Sequence, residues 1–147
     1  MNLPQWSQEG RLRPHRPTSS ERAALLEAVG RDLDDAANLG ISADRRFATA
    51  YSAALMLASL ALHAAGYRAA GPGHHETTMR SLPLVMGPEQ LERSRYLDAC
   101  RIKRNHVDYD GMGYATHAEA DELIDEVVLL LDDVLAWLAA EHPELGV

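Results

Sequence analysis

The sequence predicts an all-α protein, an up-and-down four-helix bundle with one additional short helix. Hydrophobic residues make up 46% of the chain and aromatic residues only 5%. Most of the other hydrophobic residues are alanine and leucine, which favour close-packed helices over strands. Four long stretches also repeat apolar residues at helical spacing between clear cap signals. At 147 residues the chain has the length of one domain, which we expect over residues 18–147.

The N-terminal stretch differs from the rest of the chain. Residues 1–17 contain three prolines and scattered charge, which predict an extended arm. We assign no function to this arm. Thr18 and Glu21 then form a capping box at the start of the first helix. This helix runs to about Asn38 and is stopped by Gly40.

The second predicted helix is the most apolar part of the chain. It follows Ser42 as N-cap and covers residues 43–65, with Gly66 as its C-terminal signal. Its alanines and interrupting polar residues predict a buried helix that neighbours approach closely, and they disfavour a membrane span. A shorter third helix is predicted in HHETTMRSLPLVMG, residues 74–87, which Pro83 is expected to kink or end.

The fourth and last helices complete the bundle. The break at Gly87-Pro88 begins a fourth helix over residues 88–106. Its predicted inward side chains are Leu91, Tyr96, Cys100 and Ile102. Thr116 and Glu119 form a second capping box, which opens the last helix. The apolar stripe of that helix consists of Leu123, Ile124, Val127, Val128, Leu131, Val134, Leu135 and Leu138.

Net charge and cysteine content limit the partners and the cellular location that the sequence predicts. A net charge of −8 argues against bulk binding to DNA or RNA. Residues 93–104 are nevertheless locally basic, with five cations against one acid. These cations are Arg93, Arg95, Arg101, Lys103 and Arg104. A single cysteine and the lack of an apolar signal-peptide core predict a cytoplasmic protein with no membrane association.

The usual metal and nucleotide motifs do not occur in the sequence. It contains no Glu-x-x-His, no His-x-x-x-His and no cysteine pair, so we expect no metal site. Gly-rich nucleotide loops and nucleophile elbows are also missing, and no cofactor is expected. His74 and His75 point about 100° apart on a helix and cannot chelate together, which favours a packing role. His63 is expected in the core, and His15 at the surface.

The segment RIKRNHVDYD has the residue types needed to handle phosphates. An arginine can clamp a phosphate, an imidazole can move a proton near neutral pH, and an amide can orient an oxygen. Together they allow RNA cleavage without a metal, in which a base activates the ribose 2′-hydroxyl. Arg101 and His106 are the candidate catalytic pair. The candidate ligands for RNA phosphates are Lys103, Arg104 and Asn105.

This segment, the order of helices and the GPGHHETTMRSLP stretch resemble HEPN domains over roughly residues 20–140. Many HEPN proteins are metal-independent ribonucleases, of toxin or RNA-processing type, with an Arg followed four to six residues later by a His. Arg101 and His106 meet that spacing. The resemblance implies a homodimer with the motif at its interface. It also implies a minimal nucleotidyltransferase as partner and modification of a nearby tyrosine, here Tyr109.

A second interpretation stays open. RNHVDYD also resembles a HEPN pattern that lacks a dedicated catalytic histidine, and such a module would bind a nucleotide or a partner protein without cleaving RNA. Arg101, Arg104 and Asp108 share a helix face, where Arg–Asp pairing supports the fold. Residues five apart on a helix are rotated by about 140°. Arg101 and His106 therefore converge only if the helix ends near His106 or if two subunits share the site.

Overall fold

The computed structural model describes residues 2–106 and 113–146. It confirms the all-α helical bundle and adds one short antiparallel pair of strands. In chain order the elements are α1 (Leu3–Gln8), β1 (Leu12–Pro14), α2 (Ser19–Ala36), α3 (Ala43–Ala64), β2 (Tyr67–Ala69), α4 (His74–Met86), α5 (Leu91–Asn105) and α6 (His117–Glu141). Short 3-10 turns precede α5 at Pro88–Gln90 and follow α6 at Pro143–Leu145.

The capping boxes set the starts of two long helices. At α6 the box is reciprocal, because Thr116 Oγ1 accepts from the backbone of Glu119 and the Glu119 carboxylate accepts from the backbone of Thr116, at 3.1 and 3.0 Å. At α2 only half of the box forms. Thr18 accepts from the backbone of Glu21, but the Glu21 carboxylate lies 2.9 Å from His15 Nε2 instead.

Helix α3 is the central element of the bundle. It contacts α2, α4, α5 and α6, and a row of its alanines is fully buried. These residues are Ala50, Ala53, Ala54, Ala58 and Ala61. Because alanine has a short side chain, neighbouring helices can approach the α3 backbone closely. The facing stripe of α6 is buried at Leu123, Val127, Leu130, Val134 and Leu138.

By length and composition α3 is also apolar enough to cross a membrane, with a mean hydropathy of 1.4 in its most apolar window. Within this window 56% of the residues are buried inside the bundle. A helix that packs against four others meets the same criteria as a membrane span. The prediction of a buried core helix is therefore confirmed.

The prediction of an extended arm over residues 1–17 is wrong. This stretch forms α1 and β1, and β1 pairs antiparallel with β2 in the register Leu12 to Ala69. Trp6 and Leu12 are buried together with Leu62 of α3 in a second, smaller core. Burial of two large apolar side chains stabilises the segment against the end of α3, although its prolines suggested an arm.

The inward face of α5 also differs from the prediction. Leu91 and Ile102 are 43% and 59% exposed, whereas Leu97 and Cys100 are buried. Leu91 and Cys100 are nine residues apart, which is about 900° on a helix and places them on opposite faces. The buried stripe runs instead through Ser94, Leu97 and Cys100, three residues apart.

Pro83 does not end α4, which continues to Met86. A proline has no N–H to donate to the carbonyl four residues earlier, which here belongs to Met79. The Ser94 hydroxyl of α5 donates to that carbonyl at 2.8 Å, and both residues are buried. This hydrogen bond from the neighbouring helix replaces the one that proline removes.

Ser94→Ala should lower the free energy of unfolding by about 1–3 kcal/mol, because the buried Met79 carbonyl then lacks a donor. In a Pro83→Ala background the loss should be less than half as large, since residue 83 regains an N–H for that carbonyl. Urea unfolding followed by circular dichroism measures both. Ser52→Ala, at an exposed serine of α3, is the control. Equal losses in the two backgrounds would contradict this explanation.

Candidate functional site

The basic residues of α5 separate onto two sides of the helix. Arg93 contacts α6, where its guanidinium lies 2.6 Å from Glu126 Oε1 and 2.8 Å from Asp133 Oδ2. Lys103 Nζ lies 2.9 Å from Glu119 Oε2, also on α6. Both cations are neutralised in ion pairs between helices. The structure therefore does not bring Lys103 together with Arg101 as a phosphate ligand.

Arg101 points toward the start of α4. Its Nε donates to Asp98 Oδ1 at 2.8 Å, and its terminal nitrogen lies 3.6 Å from Glu76 Oε2. Only 19% of the Arg101 side chain is exposed. Two carboxylates thus hold the guanidinium in place and offset much of its charge, which suits a positioning role better than a mobile phosphate clamp.

Arg104 lies one helical turn further on and is exposed. Its guanidinium carbon lies 5.6 Å from the centre of the Tyr51 ring, within range of a cation–π contact. Arg104 also donates to the Asn105 side chain at 3.3 Å. Within residues 2–106 and 113–146, no carboxylate forms an ion pair with Arg104. This guanidinium is the better placed of the two to receive an anion.

Tyr51 of α3 is buried close to Arg101 and Arg104. Its side chain is 1% exposed, and its hydroxyl has no hydrogen-bond partner among the residues described. Burial raises the pKa of Tyr51 to about 12, although the charges of Arg101 and Arg104 act in the opposite direction. The phenol therefore stays protonated at neutral pH and keeps a proton to donate.

His75, in the first turn of α4, also lies near Tyr51, with its ring centre 6.4 Å from the tyrosine ring centre. Burial lowers the pKa of His75, and the charges of His74, Arg104 and Arg101 lower it further. At neutral pH the imidazole is consequently uncharged and can accept a proton. We refer to Tyr51, His75, Glu76, Arg101 and Arg104 as the Tyr51 cluster.

His106 occupies a different place. Helix α5 ends at Asn105, and His106 is its exposed C-cap, with extended backbone angles. The helix therefore ends near His106, which is one of the two conditions for convergence with Arg101. No hydrogen bond, ion pair or ring contact in the described part of the chain joins the two side chains. Asp108 and Tyr109, the predicted supporting and modified residues, lie outside the described residues.

Sequence reasoning missed His75 because it treated the His74-His75 pair as the start of a helix. A topological signal was available. In an up-and-down bundle, consecutive helices run in opposite directions, so the first turn of α4 lies beside the last turn of α5. The ion pair between Glu76 and Arg101 shows this alignment. Residues 74–76 were therefore the natural neighbours of the basic end of α5.

Comparison with models of protein families, with curated proteins and with solved structures finds no match to this chain.

Tyr51→Phe should raise the free energy of unfolding by about 1 kcal/mol, because it removes a buried hydroxyl that has no partner among the described residues and keeps the packing of the ring. The matched control is Tyr114→Phe. The Tyr114 hydroxyl donates to the Asp44 carbonyl at 2.8 Å, so this substitution should cost about 0.5–1.5 kcal/mol. Chemical denaturation measures both, and equal losses would show that the Tyr51 hydroxyl is also bonded.

Cys100 should react slowly in the folded protein. It is buried on the inward face of α5, and burial raises its pKa to about 11. A pKa about two units above the ordinary value reduces the thiolate fraction about 100-fold. Alkylation by iodoacetamide at pH 8 should therefore be at least about 100-fold slower than in the urea-unfolded chain. Similar rates in the two states would contradict the raised pKa.

Proposed function

We propose that the chain is a HEPN-like, metal-independent endoribonuclease and that the Tyr51 cluster binds the phosphate at which RNA is cut. One observation carries this proposal: the uncharged imidazole of His75 and the guanidinium of Arg104, which forms no ion pair with a carboxylate of the described residues, both lie near the ring of the same buried tyrosine. A proton acceptor next to a phosphate-binding cation is the minimum that metal-independent cleavage requires.

The reaction proceeds by attack within the RNA strand. His75 takes the proton from a ribose 2′-hydroxyl, and the 2′-oxygen then forms a bond to the adjacent phosphorus. The bond from phosphorus to the 5′-oxygen breaks, which leaves a 2′,3′-cyclic phosphate, and the 5′-oxygen takes up a proton from water. The protonated His75 then returns its proton to solvent. Arg104 stabilises the charge that builds up on the phosphate, while Arg101 is held by Asp98 and Glu76 and orients the site.

The geometry supports His75 as base in place of His106, to which sequence spacing assigned this role. His106 is exposed at the end of α5, whereas partial burial lowers the pKa of His75. Asn105 accepts a hydrogen bond from Arg104, so it orients the phosphate ligand. In this proposal His106 and Asn105 lie at the rim, where an RNA strand would pass.

A homodimer fits the exposed surface of α5. Leu91 and Ile102 are both exposed, and eleven residues on a helix rotate by about 1100°, or 20° net, so they lie on one face. Two exposed apolar side chains on one face of the helix that carries the cluster support pairing through α5.

A second candidate function is binding without cleavage, either of a nucleotide or of a partner such as a minimal nucleotidyltransferase. The ion pairs of Arg101 with Asp98 and Glu76 favour it, because a neutralised arginine contributes less to a transition state. In this case Arg104 and Tyr51 would recognise a phosphate that stays intact. Cleavage and binding measurements on the same variants separate the two functions.

His75→Ala should reduce cleavage of single-stranded RNA in EDTA by about 100-fold or more, which is the usual loss on removal of a general base. RNA binding, measured by fluorescence anisotropy, should be retained. His106→Ala should cleave at a rate close to that of the unsubstituted protein. If His75→Ala cleaves equally well, His75 is not the base.

Arg104→Ala should weaken RNA binding. The slope of log K for RNA binding against log salt concentration should become shallower by about 0.7, the value for one phosphate contact on a single strand. The control is Arg31→Ala, which removes the same charge from α2. The Arg31 side chain is 69% exposed, and its guanidinium lies 3.9 Å from the Glu27 carboxylate. Loss of binding in Arg104→Ala without any cleavage by the unsubstituted protein would favour the binding module. Equal binding by both variants would contradict a phosphate site at Arg104.

A further inference from the structure

A second group of polar side chains joins three separate segments of the chain. His15 follows β1, Glu21 lies in the first turn of α2, and His63 lies in the last turn of α3. One ligand atom from each residue lies within 4.8 Å of the other two. His15 Nε2 is 2.9 Å from Glu21 Oε2, and the His15 and His63 ring centres are 4.6 Å apart.

The backbone fixes the position of each of these residues. The His15 N–H donates to the Gly66 carbonyl at 2.8 Å, which extends the pairing of β1 with β2. Thr18 caps α2 and thereby fixes the first turn that carries Glu21. His63 belongs to the central helix of the bundle. Three ligands on fixed backbone need little rearrangement to bind an ion, which favours affinity.

One imidazole nitrogen in this group has no hydrogen-bond partner in the part of the chain that the structure describes. His63 Nδ1 is inaccessible to solvent and makes no hydrogen bond within the described residues. A buried polar atom without a partner costs free energy, and either a donor or a metal ion would compensate for that cost. Two imidazoles and one carboxylate form a ligand set that zinc sites use, with a fourth position left for water or another ligand.

We propose that His15, Glu21 and His63 bind one divalent transition-metal ion of the Zn²⁺ class. Imidazole nitrogen suits such ions, whereas Mg²⁺ and Ca²⁺ prefer a shell of oxygen ligands. A cavity of about 370 Å³ adjoins the three ligands and is also lined by His74, Ser59 and Arg68. The fourth coordination position opens into this cavity, where His74 or a water molecule can complete a tetrahedral shell.

The ion would connect the N-terminal segment to the core of the bundle. His15 and Glu21 lie on either side of the link between β1 and α2, and His63 lies at the end of α3 next to β2. Because the unfolded chain does not hold these residues together, metal binding is linked to folding of the N-terminal segment. The proposal does not depend on the ribonuclease function, since no RNA contact enters it.

Titration of the tag-free, EDTA-dialysed protein tests the site. Zn²⁺ should bind with a stoichiometry of one in calorimetry and should raise the melting temperature, whereas Mg²⁺ should do neither. Co²⁺ should give the intense visible absorption of a tetrahedral ion. His63→Gln and Glu21→Gln should each lose at least about 100-fold in Zn²⁺ affinity, since loss of an outer-shell partner alone costs ~10–100-fold.

His142→Gln is the matched control. His142 Nδ1 lies 3.1 Å from Glu144 Oε1, a histidine–glutamate pair that has no third ligand in the described residues. Its affinity for Zn²⁺ should equal that of the unsubstituted protein. Glu21 is exposed, so Glu21→Gln tests the site without a change in the core. Failure of the unsubstituted protein to bind Zn²⁺ saturably, or unchanged affinity in Glu21→Gln and His63→Gln, would overturn the proposal.

Discussion

The burial of α3 on nearly all sides is the constraint on which the rest of the structure depends. A helix in this position must present small side chains to its neighbours, and its alanines meet that requirement at 0% exposure. The same packing buries the two aromatic side chains of α3, Phe47 and Tyr51, at 2% and 1% exposure. Tyr51 lies beneath the contact between α4 and α5, near His75 of α4 and Arg104 of α5. The position of the candidate site follows from the packing of the central helix.

A buried arginine complements this apolar packing. The Arg46 side chain is 2% exposed, donates to the Ala36 carbonyl at 2.8 Å and lies 3.0 Å from His117 Nδ1. It also forms an ion pair with Asp121. A buried charge is tolerated when its hydrogen-bonding groups are satisfied, and these contacts join the end of α2, α3 and the start of α6. The Asp44 carboxylate accepts two further hydrogen bonds, from the backbone N–H groups of Tyr114 and Ala115 just before α6.

Local signals in the sequence were sufficient for most of the helices. Caps such as Thr116 are read from a few neighbouring residues, and the structure reproduces them. The buried stripe of α5 could not be predicted without the exact start of the helix. A 3-10 turn at Pro88–Gln90 moves that start from residue 88 to Leu91. The pairing of β1 with β2 joins segments more than fifty residues apart, so no local pattern indicated it. The prolines of the N-terminal segment were visible, but the surface that covers Trp6 was not.

The roles of charged side chains were harder to predict, because their ionic partners lie partly on other helices. The basic cluster was correctly noted as a concentration of charge, yet Lys103 is neutralised by α6 and Arg101 by carboxylates of α4 and α5. Spacing within one helix contains no information about those partners. In the same way, spacing along the sequence could not indicate that His15 and His63, 48 residues apart, lie close together in space.

The His74-His75 pair connects these two parts of the molecule. Adjacent residues on a helix point about 100° apart, so one ion cannot be chelated by both. The same angle allows each to serve a different site. His75 lies beside Tyr51, while His74 lines the cavity next to His15 and His63. Their rings are 4.5 Å apart. The two proposed sites therefore meet at adjacent residues in the first turn of α4, each reached by one of the two imidazoles.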